Sequence, residues 1–140
     1  MVLASAASAS ESEIGVGVHA IERTGGKRIL VVEDDPIIAL DLETTLDGAG
    51  AVVIGPASSL DKALRLAQEV ALDAAVLDVR LEHGDTLPLA VRLVGRRVPF
   101  LFQTSDPGVV AGLFPDVPIL RKPFRPEHLV ASLADLLAKS

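Results

Sequence analysis

Short apolar runs alternate with longer amphipathic stretches through most of this 140-residue chain. The runs lack polar alternation and are rich in aliphatic residues, as expected of strands buried on both faces of a sheet. They lie at residues 28–33, 51–55, 74–79, 98–104 and 117–123. Strands that alternate with helices in this way pair in parallel. The pattern therefore predicts an α/β fold, a doubly wound five-stranded parallel sheet with helices on both faces.

The first predicted helix follows the first strand directly. Asp35 and Pro36 have the residue types of an N-cap and a first helical position, because an aspartate side chain accepts backbone N–H bonds and proline has none to donate. The helix is expected to run to Leu46. It is expected to bury the apolar residues Ile37, Ile38, Leu40, Leu42 and Leu46.

Three further helices are predicted. Ser58 followed by Asp61 resembles a capping box and opens a helix that runs to about Val70. Another helix covers residues 87–95, and the last begins at Pro126. Between the fourth and fifth strands, residues 105–118 contain two glycines and three prolines, so the helix expected there should be short or missing.

Reactive polar residues end four of the five predicted strands. Glu33 and Asp34 close the first strand, Asp78 closes the third, Thr104 closes the fourth and Lys122 closes the fifth. Ligands of open parallel sheets bind beyond the carboxyl ends of the strands. We therefore expect these five side chains to converge at one edge of the sheet.

The residue types at this edge indicate phosphoryl transfer. Neighbouring carboxylates repel one another unless a positive group lies among them, and oxygen ligands of this kind suit Mg²⁺. A bound Mg²⁺ would neutralise charge on a transferring phosphoryl group. Asp78 can serve as a nucleophile that forms an aspartyl phosphate, while a hydroxyl and an ammonium hold the phosphoryl oxygens.

The order of these signals resembles the response-regulator receiver domain of bacterial two-component signalling. An acid pair, a single aspartate, a threonine and Lys122–Pro123 follow the first, third, fourth and fifth strands, and the resemblance covers residues 27–140. It implies the flavodoxin-like (βα)5 receiver fold with Asp78 as phosphoacceptor. Glu33 and Asp34 would then bind Mg²⁺, with Asp34 as the direct ligand.

The resemblance also implies roles for three residues beyond the carboxylates. Arg80 would offer its backbone carbonyl to the metal, and Thr104 and Lys122 would contact the phosphoryl group. Residues 102–107 are similar to the FATGUY motif of single-domain receivers, where Phe102 and Thr104 match, but Ser105 and Pro107 depart from it.

The usual aromatic switch position of the family holds an aliphatic residue, Ile119. An aliphatic side chain has no ring to swing inward, so the two-state element must lie elsewhere. Residues 105–118 are therefore expected to change order on phosphorylation, with Phe114 on a partner surface.

Composition limits the remaining choices. The 19 acidic residues exceed the 13 basic ones, which disfavours nucleic acid as the main partner. No apolar run approaches the roughly 20 residues of a membrane helix. The absence of cysteine fits a reducing cytoplasm. Residues 1–26 read as a flexible or docking leader without a secretory signal pattern, followed by a receiver domain at 27–140.

The resulting hypothesis is a cytoplasmic single-domain response regulator, since no residues follow Ser140 to form an output domain. A sensor histidine kinase would phosphorylate Asp78, and the product would act on a protein partner or serve as a phosphorelay or phosphate sink. The protein would not be a turnover enzyme. One alternative is an Asp-nucleophile phosphohydrolase, which needs an acid at position 80, where this chain has Arg80. Another is a receiver-like interaction module that is never phosphorylated. The sequence leaves a homodimer open.

Overall fold

The structure is a computed structural model that describes residues 23–139. Within that range the chain forms seven strands, four α-helices and one 3₁₀ turn. In chain order these are β1 (Arg28–Val32), α1 (Pro36–Gly48), β2 (Val52–Ala57), α2 (Leu60–Glu69), β3 (Ala74–Asp78), β4 (Arg80–Leu81), β5 (Gly84–Asp85), α3 (Leu87–Gly95), β6 (Phe100–Thr104), the 3₁₀ turn (Pro107–Val109), β7 (Ile119–Arg121) and α4 (Pro126–Lys139).

Five of the strands form one parallel sheet in the order β2-β1-β3-β6-β7. The chain moves from β1 outward to β2, then crosses back to β3 and continues to the other edge. The order therefore reverses between β1 and β3, and the crevice at their carboxyl ends is where such sheets bind ligands. The doubly wound, flavodoxin-like arrangement predicted from the sequence is confirmed.

Each face of the sheet has its own aliphatic core. One core lies under α2 and α3 and includes Leu30, Leu77 and Phe102. The other lies under α1 and α4 and includes Leu42 and Leu133. Successive residues of a strand point to opposite faces, so a strand without polar alternation supplies both cores at once.

Helix α1 begins as predicted but buries fewer residues than expected. Asp35 Oδ1 accepts the backbone N–H groups of Ile37 and Ile38, at 2.9 and 3.3 Å. Ile37 and Leu40, however, are 73% and 61% exposed. Because an α-helix turns 100° per residue, the stripe through Ile38 and Leu42 faces the sheet and the stripe through Ile37 and Leu40 faces away. The prediction that both residues are buried was wrong.

The other helices differ from prediction mainly at their ends. The N-cap of α2 is Ser59 rather than Ser58, and its hydroxyl oxygen accepts the N–H of Lys62 at 3.2 Å. Helix α3 covers the predicted residues. Only the 3₁₀ turn Pro107–Val109 stands between β6 and β7, which confirms that the fourth helix of the receiver pattern is missing.

The first described residues attach to the turn that follows α1. The hydroxyl of Thr24 donates to the carbonyl oxygen of Ala49 at 2.8 Å, and the Gly26 N–H donates to the carbonyl oxygen of Gly50, also at 2.8 Å. The rest of the predicted leader, residues 1–22, lies outside the described residues. None of the helices in the described part of the chain is long and apolar enough to cross a membrane.

Candidate functional site

Strand register places three polar side chains in one row across the sheet. Val32 pairs with Leu77, so Glu33 lies level with Asp78, and Asp78 pairs with Gln103. In a parallel sheet, residues at the same level point to the same face. All three therefore face α1 and α4, at the carboxyl ends of β1, β3 and β6.

Lys122 lies between two of these carboxylates. Its Nζ donates to Glu33 Oε1 at 2.8 Å and to Asp78 Oδ2 at 3.1 Å. The three side chains are largely removed from water, with 17%, 1% and 11% of the Lys122, Glu33 and Asp78 side chains exposed. From the sequence we expect a divalent cation as the positive group among the acids. The structure shows that a lysine provides part of that charge.

Glu33 accepts two further hydrogen bonds. Gln103 Nε2 donates to Oε1 at 2.8 Å, and the backbone N–H of Asp35 donates to Oε2 at 3.1 Å. Gln103 is fully buried. It was missed in the sequence, although a glutamine inside the apolar strand Phe100–Thr104 is the signal that could have found it.

The two buried carboxyl groups have opposite pKa shifts. Burial, reinforced by the nearby charge of Glu33, raises the pKa of Asp78 from 3.8 to about 6. Burial also acts to raise the pKa of Glu33, but hydrogen bonds from Lys122, Gln103 and the Asp35 backbone outweigh it and lower that pKa. Burial acts to lower the pKa of Lys122, and its bonds to the two carboxylates instead raise it. The site therefore stabilises the ionised form of Glu33 and disfavours the ionised form of Asp78.

Asp34 completes a group of three acids. It is half-buried, and its Oδ2 accepts the backbone N–H of Glu82 at 2.6 Å from the β4–β5 hairpin. One carboxylate oxygen each of Glu33, Asp34 and Asp78 lies within 4.8 Å of the others. A site built only from carboxylate oxygens fits Mg²⁺, which prefers oxygen ligands.

The remaining predicted residues, Thr104 and Arg80, lie at the carboxyl ends of β6 and β3, on the same edge of the sheet. Thr104 is buried, and its hydroxyl oxygen accepts the N–H of Asp106 at 3.1 Å. Arg80 begins the hairpin two residues after Asp78, and its side chain is exposed. Thr86 holds the chain where β3 ends, because its hydroxyl donates to the carbonyl oxygen of Asp78 at 2.6 Å.

A groove of about 670 Å³ opens beside the site, between α1 and α4. Ile38 and Leu42 line it from α1, and Phe124 and Leu129 line it from the other side. Lys122 reaches into the same groove. The groove therefore meets the site at Lys122, while Asp78 is not among the residues that line it.

Phe114, which was expected on a partner surface, is half-buried at the edge of the core. Its ring packs edge-on against Phe100 and Phe102, with ring centroids 6.1 and 5.6 Å apart. The neighbouring Leu113 is 60% exposed instead. The loop between β6 and β7 is therefore attached to the core through an aromatic cluster.

Comparison with known proteins agrees with this geometry. The family model of the response regulator receiver domain matches residues 29–134. The phyllosphere-induced regulator PhyR of Methylorubrum extorquens is 35% identical over 114 residues, which are 78% of this chain and 43% of that protein. The transcriptional regulatory protein PdtaR of Mycobacterium tuberculosis is 28% identical over 72 residues, 51% of this chain and 35% of that protein. The chain thus spans less than half the length of these curated relatives.

Solved structures show the same fold. The response regulator PhyR from Brucella abortus superposes with a TM-score of 0.78 at 26% identity, over 94% of this chain and 56% of that one. SdrG from Sphingomonas melonis superposes with a TM-score of 0.71 at 37% identity, over 80% of this chain and 97% of that one. With its sheet order, its strand-end acids and the family match over most of its length, this chain belongs to the response regulator receiver domain family.

Proposed function

We propose that the protein accepts a phosphoryl group on Asp78 from a phosphohistidine of a sensor histidine kinase. The observation that carries the proposal is that Asp78 pairs with Lys122 at 3.1 Å and also has a carboxylate oxygen within 4.8 Å of one from each of the acids Glu33 and Asp34. In the reaction, a carboxylate oxygen of Asp78 forms a bond to phosphorus while the bond from phosphorus to the histidine nitrogen breaks. The imidazole leaves with that electron pair.

Each residue has a defined task in this transfer. The ionised form of Asp78 attacks, and a pKa of about 6 leaves most of it ionised near pH 7.5. Lys122 leaves the carboxylates to bind a phosphoryl oxygen, and the Thr104 hydroxyl donates to another. Glu33 and Asp34 would hold Mg²⁺ with Asp78 and the backbone carbonyl of Arg80. When bound, Mg²⁺ supplies charge neutralisation for the transferring group.

The kinase would contact the protein through α1. Ile37 and Leu40 form an exposed apolar stripe on this helix, and Ile38 lines the groove that leads to Lys122. A protein donor that delivers a phosphohistidine to Asp78 must approach beside Lys122, which lines that groove, and we expect it to bury apolar residues of α1 on docking.

The receiver is proposed to act as a phosphoacceptor rather than a turnover enzyme. A phosphohydrolase with an aspartate nucleophile needs an acid two residues later to protonate the leaving group, and the exposed Arg80 cannot do so.

The phosphorylated protein would signal through a protein partner or pass its phosphoryl group on as a relay or sink. We place it in the cytoplasm, with residues 27–140 as the receiver domain and residues 1–26 as a leader.

Intact mass spectrometry after incubation with acetyl phosphate and Mg²⁺ tests the proposal. The wild type should gain one phosphoryl group, and prior addition of EDTA should prevent the gain. Asp78→Asn should gain none, whereas Asp116→Asn, which removes the same charge from an exposed loop position, should label normally. Equal labelling of the Asp78→Asn variant would refute Asp78 as the acceptor.

A further inference from the structure

Gln103 is a buried amide without an evident structural purpose. It follows three apolar residues in β6, and its side chain is 0% exposed. Nε2 donates to Glu33 Oε1, but within residues 23–139 its Oε1 finds no hydrogen-bond partner. Burying an unpartnered carbonyl oxygen destabilises a protein, and an apolar side chain of similar length would avoid this cost. The N–H donated to Glu33 is therefore the contribution that distinguishes glutamine here.

The orientation of this amide follows from chemistry. An ionised carboxylate only accepts hydrogen bonds, so the nitrogen end of Gln103 must face Glu33. A flipped amide would bring its oxygen against Glu33 Oε1 and leave the N–H groups in the apolar interior. Glu33 itself is 2% exposed and cannot replace the bond with bulk water.

Glu33 Oε1 accepts hydrogen bonds from two donors, and only one of them is expected to move during phosphotransfer. Lys122 Nζ and Gln103 Nε2 each lie 2.8 Å from it. Lys122 is shared with Asp78 and is the group that would turn toward a phosphoryl oxygen. Gln103 stands on an interior strand and carries no charge to attract it to the phosphoryl group, and among residues 23–139 its side chain bonds only to Glu33.

We propose that Gln103 is a positioning residue for phosphotransfer, which holds Glu33 in place when Lys122 leaves it for the phosphoryl group. The inference rests on the proposed function, because it needs Lys122 to move. Without Gln103, release of Lys122 would leave Glu33 Oε1 as a buried, charged acceptor without a donor. Lys122 would then be retained by Glu33 and would bind the phosphoryl oxygens less readily.

Beryllofluoride, a phosphoryl mimic, provides the test at saturating Mg²⁺. Its dissociation constant is measured by NMR titration for wild type, Gln103→Met and Gln103→Ala. Leu101→Met is the matched control, because Leu101 is equally buried and lies two residues earlier on the same face of the same strand. Both Gln103 variants should bind beryllofluoride about tenfold more weakly, the loss expected for one hydrogen bond to a charged group. The Leu101→Met variant should bind it as the wild type does.

A second measurement uses the unmodified protein and needs no variant to fold. The side-chain amide protons of Gln103 should stay protected from solvent exchange in both the free and the beryllofluoride-bound protein. Rapid exchange in the bound form would overturn the positioning role, as would folded Gln103 variants with wild-type affinity. If the wild type takes neither beryllofluoride nor a phosphoryl group, the proposed function itself fails. If the wild type binds beryllofluoride and the Gln103 variants bind it equally well, only the role of Gln103 is refuted.

Discussion

Replacing Asp78 by asparagine should stabilise the metal-free protein at neutral pH. The carboxyl group is nearly buried and shares one lysine with Glu33, so its ionised form is less favourable in the folded protein than in the unfolded chain. Asparagine has the same shape and no charge to desolvate. The variant that abolishes phosphorylation is thus expected to be the more stable protein.

The size of the effect follows from the pKa of Asp78. A rise from 3.8 to about 6 corresponds to about 3 kcal/mol, which is the largest increase in the free energy of unfolding that removing the charge can produce. Because the folded-state pKa is raised, the carboxyl group favours folding fully below its unfolded value, and this contribution is lost as the pH rises through about 6. The advantage of asparagine should therefore be largest above that pH. At pH 4, where the folded carboxyl is already protonated, it should be small.

Thermal unfolding in EDTA, followed by far-UV circular dichroism, measures this difference. The chain has no Trp or Tyr, so fluorescence is a poor probe. At pH 8 we expect Asp78→Asn to unfold several degrees higher than wild type, since 1 kcal/mol corresponds to about 4 °C in a domain of this size. Asp116→Asn controls for the change in net charge. A variant no more stable than wild type at pH 8, or equally stabilised at pH 4, would refute the reasoning.

Three other predictions concern the reaction itself. At Mg²⁺ concentrations well below saturation, the rate of labelling by acetyl phosphate should rise as the pH increases through about 6 and level off above it, because only ionised Asp78 attacks; a flat profile in intact-mass assays under these conditions would contradict this. Lys122→Met should slow labelling at least about tenfold while circular dichroism shows an intact fold, and an unchanged rate would exclude its role. Beryllofluoride should slow hydrogen exchange in residues 105–118, and protection confined to the other strand-end loops would mean that the signal leaves by another route.

The sequence could predict the fold and the strand-end residues because both depend on local patterns. Unbroken apolar runs marked the sheet strands, and parallel pairing alone brings their carboxyl ends to one edge. The burial of Ile37 and Leu40 was predicted wrongly for a related reason. Five apolar residues on a short helix cannot all share one face, and the sequence does not say which face the sheet will cover.

The partners within the site could not be predicted in the same way. The bond from Gln103 to Glu33 joins residues 70 positions apart, and the bond from Glu82 to Asp34 joins residues 48 apart. The second of these uses a backbone N–H, which any residue type could supply. Such contacts depend on register and on the β4–β5 hairpin, neither of which leaves a periodic pattern in the sequence. The contacts of Phe114 with Phe100 and Phe102 likewise depend on how the loop folds back on the sheet, which the local sequence does not specify.

The charges of the site do not balance without a further cation. Glu33, Asp34 and ionised Asp78 carry three negative charges, and Lys122 contributes one positive charge. Burial and the neighbouring charge of Glu33 raise the pKa of Asp78 to about 6, so protonation of Asp78 removes one of these negative charges as the pH falls below that value. Mg²⁺ binding should therefore release close to one proton per site at pH 5 and almost none at pH 8. Calorimetric titrations in buffers of different ionisation enthalpy measure this release, and binding heats independent of buffer at pH 5 would show that Asp78 is already ionised in the metal-free protein.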